Sequence, residues 1–287
     1  MMTKKLLFQL DTDAIANGFD TIVGYDGGAD HVIPHGGVNP QNVGMLVDGC
    51  MFARSSREKQ FSAIFVGGSK LAEGQALFEA IKKKFFANFR VSVMLDSNGS
   101  NTTAAASVAY LIKHCPAAGK RAVVLAGTGP VGQRAAAVLA KEGAEVVITS
   151  RVLARAQASC ELIKERFGYD CIPVAAIDDA SRGKALAGAR IVYAAGAAGV
   201  QLLRETDWMD NSTLEVMCDA NATPMLGVQG VNMADKGVEC HGKIVYGALG
   251  IGDLKMKLHR QCIARLFEQN ELLLDAEDIY GIAKTMV

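Results

Sequence analysis

Short apolar runs alternate with stretches of helical period along this chain. Residues 5–10, 63–66, 90–95, 121–126, 145–149, 171–175, 189–195 and 214–218 read as strands, the last of them closing the series. A further short strand is expected at 21–24. Between the strands, Leu71, Leu77, Phe78, Ile81 and Phe85 recur at helical spacing, with Lys82, Lys83 and Lys84 on the wet side. Helices are likewise expected at 102–114, 133–142, 151–167 and 178–187, along Leu254, Leu258, Cys262, Leu266 and Phe267, and at 276–287. Residues 25–31, dense in Gly and Asp, read as loop, and Pro34 and Gly36 argue against a helix over His31 and His35. A long loop containing Pro224 should join Asp219-Ala-Asn221 to Gly247. Strands alternating with helices imply an α/β protein with a largely parallel sheet in each half.

One stretch carries more than period. The run 121–126 leads into Gly127-Thr128-Gly129-Pro130-Val131-Gly132, then an Ala-rich helix, then the strand 145–149 ending at Ser150-Arg151. Strand, Gly-x-Gly-x-x-Gly, helix, strand is the first unit of a dinucleotide-binding fold. Gly127 allows the tight turn, Gly129 lets the backbone approach a pyrophosphate, and Gly132 lets the helix pack on the strand. The helix N-terminus then offers N–H groups and the positive end of its dipole to phosphate. The turn after the strand 189–195, at Ala195 and Gly196, lies where such a domain leaves room for the nicotinamide half.

The end of the second strand bears on the cofactor. An NAD site usually places Asp or Glu there, about 20 residues past the fingerprint, to bind the ribose 2′-hydroxyl. This chain has Ser150 and Arg151, with Arg155 one helical turn on. A guanidinium holds a 2′-phosphate bidentately, which favours NADP. Read otherwise, both arginines are solvated residues at a helix start.

The architecture expected is an N-terminal α/β domain over 1–104, joined by C-terminal helices from 254–287, and a Rossmann-type NADP-binding domain over 105–253. The active site is expected in the cleft between them.

Composition narrows the class without choosing a chemistry. The 287 residues are 50% hydrophobic, and 30 basic side chains balance 30 acidic ones. No net positive field recruits nucleic acid or an anionic membrane. Seven scattered cysteines, with no Cys-x-x-Cys, suit free thiols in a reducing compartment, and the N-terminus is too short in apolar residues for a signal peptide. A cytoplasmic protein is expected. His31 and His35 are not placed on one helix face, and no other cluster has metal-ligand spacing, so no metal is expected. The polar run Asp96-Ser-Asn-Gly-Ser-Asn-Thr-Thr103 follows a strand end, where α/β folds gather ligands; it could equally be a helix cap. Tyr280 and Lys284 match the Tyr-x-x-x-Lys spacing of short-chain dehydrogenases, but they lie far beyond the cofactor fold and read as coincidence.

Five segments together resemble the NADP-dependent methylene-tetrahydromethanopterin dehydrogenase family of methylotrophic bacteria. They are Gln9-Leu-Asp-Thr-Asp13, Tyr25-Asp-Gly-Gly-Ala-Asp-His31, the polar run 96–103, the fingerprint, and Gly247-Ala-Leu-Gly-Ile-Gly252 followed by Leu254-Lys255. The chain departs at Thr223-Pro224-Met225, where the resemblance leads one to expect two prolines. It implies hydride transfer from the methylene bridge of tetrahydromethanopterin, or also of tetrahydrofolate, to NADP. It marks Lys255 as the catalytic residue nearest the pterin, orienting its polar groups, with Asp20, Asn98, Thr102 and Thr103 helping to seat it. A homo-oligomer is expected. Two rivals stand beside this reading. A tetrahydrofolate-specific methylene dehydrogenase with cyclohydrolase activity would carry Tyr-x-x-x-Lys in its N-terminal domain, where this chain has only Tyr110-x-x-Lys113. A non-catalytic NADP-binding sensor would have no use for the polar loop and Lys255.

Overall fold

The computed structural model describes residues 3–287, and the chain divides into two compact units. One takes Met1–Thr102 and Met256–Ile282, the other Thr103–Lys255 and Ala283–Val287. In chain order the first carries β1 (Leu6–Asp11), α1 (Gly18–Asp26), β2 (His31–His35), α2 (Gly44–Phe52), β3 (Ser62–Gly67), α3 (Leu71–Lys84) and β4 (Ser92–Leu95). Helix α4 (Ser100–His114) then takes the chain into the second unit. There follow β5 (Arg121–Leu125), α5 (Pro130–Lys141), β6 (Glu145–Ser150), α6 (Leu153–Phe167), β7 (Ile172–Ala175), α7 (Asp179–Ala185) and β8 (Ala189–Ala194). After them come β9 (Val216–Asp219), β10 (Lys236–Cys240) and β11 (Lys243–Tyr246). Helix α8 (Ala248–Arg265), β12 (Leu273–Leu274) and α9 (Ala276–Lys284) complete the chain.

The first unit is built on a parallel sheet in the order β12-β4-β3-β1-β2. Every residue of β3 is buried, as expected of a central parallel strand covered on both faces. Ile64 and Val66 pack with Val47, Leu77, Phe78 and Ile81 from α2 and α3. The lysines ending α3 face solvent, where cations suit a helix C-terminus; Lys84 reaches Asp48 at 3.0 Å.

The second unit has the sheet order β10-β11-β9-β8-β5-β6-β7, parallel except for β10. Counted from β5, the six parallel strands run 3-2-1-4-5-6, the doubly wound dinucleotide-binding order. Its core joins Val123, Val147, Val192, Met217 and the fully buried Trp208.

The structure corrects several expectations. Residues 21–24 are helical, not a strand. The Asn17 side chain accepts the Phe19 N–H and caps α1, and Gly24 lets the helix press onto β1 and β2; a Cβ there would lie 2.9 Å from Leu7 and Val32. The run Ile22-Val23 is too short for period to separate helix from strand. Residues 31–35, to which the sequence assigned no element, form the edge strand β2, a position that tolerates Pro34. Strand 214–218 is not the last: the long loop contains the β10–β11 hairpin. Its turn residues His241 and Gly242 have φ of 49° and 71°, as a two-residue primed turn requires. Helix α2 carries Gly44, Gly49 and no side-chain cap, which left it without a sequence signal. Among the described residues no helix is long and apolar enough to cross a membrane.

Candidate functional site

In the second unit, β5 and β8 lie side by side where the strand order reverses, and ligands of such sheets bind beyond the strand ends at that point. The fingerprint follows β5, and the turn at Ala195 and Gly196 follows β8. The two are joined, because the Ala195 N–H bonds to the Leu125 carbonyl at 3.0 Å. The three glycines divide by what surrounds them. A Cβ on Gly132 would sit 2.6 Å from the Gly127 Cα, and one on Gly127 would meet Val124 at 2.8 Å. These two glycines bring helix and strand together. A Cβ on Gly129 would meet nothing within 4 Å, so the space beside it is free. Gly129 is the N-cap of α5, with no side chain capping the helix and Pro130 in its first turn. Thr128, Pro130 and Val131, in the same turn, are half-exposed. Uncapped N–H groups beside an open space are what a diphosphate needs.

The end of β6 supplies the second part of the site. The Thr149 hydroxyl accepts the Ala126 N–H at 3.0 Å and the Ser150 hydroxyl accepts the Val152 N–H at 3.2 Å. Helix α6 starts here with no side-chain cap and no acid in its first turn. Arg151 and Arg155 are exposed, and neither guanidinium meets a hydrogen-bond or ion-pair partner among the described residues. Two cations at a helix N-terminus repel its dipole. A bound anion relieves that repulsion, so the residues present fit a 2′-phosphate.

Beyond β8 and β9 the chain forms a braced pair of loops. The Ala220 N–H bonds to the Ala194 carbonyl, and the N–H groups of Leu202 and Leu203 both reach the Gly227 carbonyl. Gly196 packs on Leu202, where a Cβ would lie 2.9 Å away. Asp219, 1% exposed, accepts the N–H groups of Asn221 and Val228, each at 3.0 Å. Burial holds its carboxyl above the usual range, against the lowering effect of these backbone donors. From the sequence Asp219 stood out only as the residue that follows the strand 214–218. Its signal was an Asp two residues before an Asn at the end of a parallel strand.

The first unit has its own reversal of strand order, between β1 and β3, and the remaining polar candidates of that unit border it. The carboxylates of Asp11 and Asp20 both come within 3.3 Å of where a Gly67 Cβ would stand, at the end of β3. Asp11 is fastened by the N–H groups of Asp13 and Asn17, and Asp13 in turn accepts the Ser69 N–H and hydroxyl. The loop after β4 joins the same edge, with the Ser97 hydroxyl 3.4 Å from the Gly67 carbonyl. The structure thus brings Asp20 and the loop of Asn98 together. Asn98 is exposed, with φ of 55°. Thr102 is fully buried and gives its hydroxyl to Asp96. Asp96 also accepts the N–H groups of Asn101 and Thr102.

Thr103 and Lys255, both half-buried, belong to the second unit, on α4 and α8. Tyr110, half of the incomplete Tyr110-x-x-Lys113 motif, stacks on Tyr246 at 4.8 Å. Tyr246 bonds to His114 at 2.8 Å, and burial pushes its hydroxyl up to about 12. His31 lies 3.1 Å from Lys4, and His35 stacks on Phe8. Among the described residues no group of three His, Cys, Asp or Glu is placed to hold a metal ion.

Comparison with known proteins adds a family. A family model described as methylene-tetrahydromethanopterin dehydrogenase, N-terminal, matches residues 18–98. The chain is 55% identical over 287 residues to the bifunctional protein MdtA of Methylorubrum extorquens, covering 99% of this chain and 100% of that one. It is 30% identical over 292 residues to the NAD(P)-dependent methylenetetrahydromethanopterin dehydrogenase of the same species, covering 98% of each. A solved shikimate 5-dehydrogenase from Mycobacterium fortuitum shares the fold at a TM-score of 0.54 and 14% identity, over 99% of this chain and 98% of that one.

Proposed function

Because the chain belongs to the methylene-tetrahydromethanopterin dehydrogenase family, we propose that it moves a hydride from the methylene bridge of a tetrahydropterin to NADP. The observation that carries this reading is the whole-length likeness to a relative named for that reaction. The bridging carbon lies between two nitrogens, and the cation left by hydride loss is delocalised over them. No proton has to be removed, so the reaction needs placement and exclusion of water more than a base. When bound, the nicotinamide ring supplies the hydride acceptor.

This chain's own residues bind and orient. Gly127, Gly129 and Gly132 with the start of α5 take the diphosphate, and Arg151 with Arg155 and Ser150 takes the 2′-phosphate. Ala195 and Gly196 leave room for the nicotinamide. In the first unit, Asp20 and Asn98 contact the pterin, while Thr102 acts by holding its loop in shape; Thr103 borders the substrate. Lys255 orients pterin polar groups. Seven free cysteines support a reducing, cytoplasmic setting. The exposed rings of Phe52, Phe86 and Phe89, in contact with one another, form an apolar patch that supports an assembly of like copies.

The test is reduction of NADP by purified protein given methylene-tetrahydromethanopterin or methylene-tetrahydrofolate, with the methenyl product then followed for hydrolysis. Reduction with the tetrahydromethanopterin substrate is expected. Enzymatic hydrolysis of methenyl-tetrahydrofolate with no turnover of the tetrahydromethanopterin substrate would favour the folate-specific rival.

A further inference from the structure

The loop that follows β9 is fastened more strongly than a connection needs to be. It leaves the sheet at Asp219 and is held at both ends by that one side chain, through the N–H of Asn221 on one oxygen and of Val228 on the other. Gly227 lies flat against the same carboxylate, with room for nothing larger: a Cβ there would be 2.8 Å from Asp219 Oδ1. Inside the loop, Asn221 donates to the Met225 carbonyl and accepts the Thr223 N–H. The tip is different. Residues 222–225 are exposed, with Met225 at 58%.

This arrangement has a direction. A carboxylate that is 1% exposed costs free energy to desolvate, and a neutral strand end would avoid that cost. What the charge secures is the shape of 220–227 and, through the Gly227 carbonyl, of the loop carrying Leu202 and Leu203. Leu202 in turn packs on Gly196. Both loops follow strands of the second mononucleotide half of the sheet, which takes the nicotinamide end of a dinucleotide.

We propose that Asp219 is a positioning residue for hydride transfer: its carboxylate fixes the paired loops 195–203 and 220–228 as the wall against which the nicotinamide end is held. This rests on the cofactor reading above and deepens it. The adenosine end is held elsewhere, by α5, Arg151 and Arg155. Loss of the clamp should therefore harm the reacting geometry and spare cofactor affinity.

The experiment compares wild-type protein with Asp219→Asn and Gly227→Ala. The amide of Asp219→Asn puts an NH2 group where a backbone N–H needs an acceptor. The methyl of Gly227→Ala pushes the carboxylate from the other side. Amide hydrogen exchange is measured without cofactor, NADP affinity by titration, and kcat with methylene-tetrahydromethanopterin. Both variants should exchange faster at 195–203 and 220–228 and nowhere else. Their kcat should fall about 10- to 100-fold, the scale set by small misplacement of reacting atoms, with NADP affinity little changed. Faster exchange in those loops with wild-type kcat would overturn the proposal. Loosening throughout the unit with matching loss of NADP affinity would overturn it as well, by making Asp219 a support of the whole fold. If Asp219→Asn does not fold, Gly227→Ala decides by the same readings. Wild-type protein that reduces no NADP with the pterin would sink the functional reading instead, and exchange with NADP titration would then decide whether Asp219 holds the loops.

Discussion

Asp96 accepts the Thr102 hydroxyl at 2.6 Å with both residues fully buried, so the loop after β4 is locked to the first turn of α4. The same carboxylate takes the N–H groups of Asn101 and Thr102, and His259, also buried, stands 3.9 Å away. A loop so held keeps Asn98 in its left-handed conformation at the edge shared with Gly67.

Thr102→Val removes one donor from that carboxylate and keeps the volume. Leaving a buried charged acceptor short of a partner costs about 1–3 kcal/mol. The denaturant midpoint should fall accordingly, KM for the pterin should rise, and NADP affinity should stay. Thr102→Ser should restore most of the loss. An unchanged midpoint would show that the hydroxyl contributes nothing.

Lys255→Ala should lower turnover about tenfold or more, a loss of about 1.4 kcal/mol or more in the transition state. NADP affinity should barely move, because the residues proposed for the cofactor lie on α5, β6 and α6. Full activity in this variant would make Lys255 an ordinary half-buried lysine.

Arg151→Ala should weaken NADP binding about 10- to 100-fold, since a charge-assisted hydrogen bond contributes about 1.5–3 kcal/mol. NAD has no 2′-phosphate, and its binding should hold or improve. Ser150→Asp should deepen the discrimination. An aspartate there can still accept the Val152 N–H that Ser150 accepts now, so the change falls on the ligand and not on the start of α6. Equal losses for both cofactors in kcat/KM would mean that Arg151 supports the fold.

His114 gives a pH dependence of stability. Burial, and then the charge of Lys113, hold its imidazole below the ordinary 6.5. The folded state therefore binds this proton less readily than the unfolded chain. The stability His114 contributes is present above 6.5 and is lost as pH falls from there through its lower folded value. Tm should fall over that interval, and His114→Gln should flatten part of the slope. An identical slope in the variant would place the titration elsewhere.

Much of this was legible in the chain. The fingerprint could be read because Gly127 and Gly132 each answer a steric demand that a larger residue fails, while Gly129 leaves open space beside the helix start. Arg151 and Arg155, which we propose for the cofactor, stood out in the sequence because they lie where an acid is expected. Other parts were not legible, for physical reasons. Ile22-Val23 is apolar in a helix as in a strand, and only the Asn17 cap and the fit of Gly24 against β1 decide. The β10–β11 hairpin turns on His241-Gly242, a weak turn signal beside Asn-Gly. Asp219 looks like any polar strand end until the backbone it holds is seen. Thr102 stood out as part of a polar loop, but burial directs its hydroxyl inward to Asp96.

Transfer of label from a substrate dideuterated at the methylene bridge tests the central claim most directly. With NADP and no added metal, in the presence of a chelator, the reduced cofactor should carry one deuterium and the methenyl product should keep the other. Reduced cofactor carrying solvent hydrogen, or turnover that stops with the chelator and returns with a divalent ion, would contradict the account.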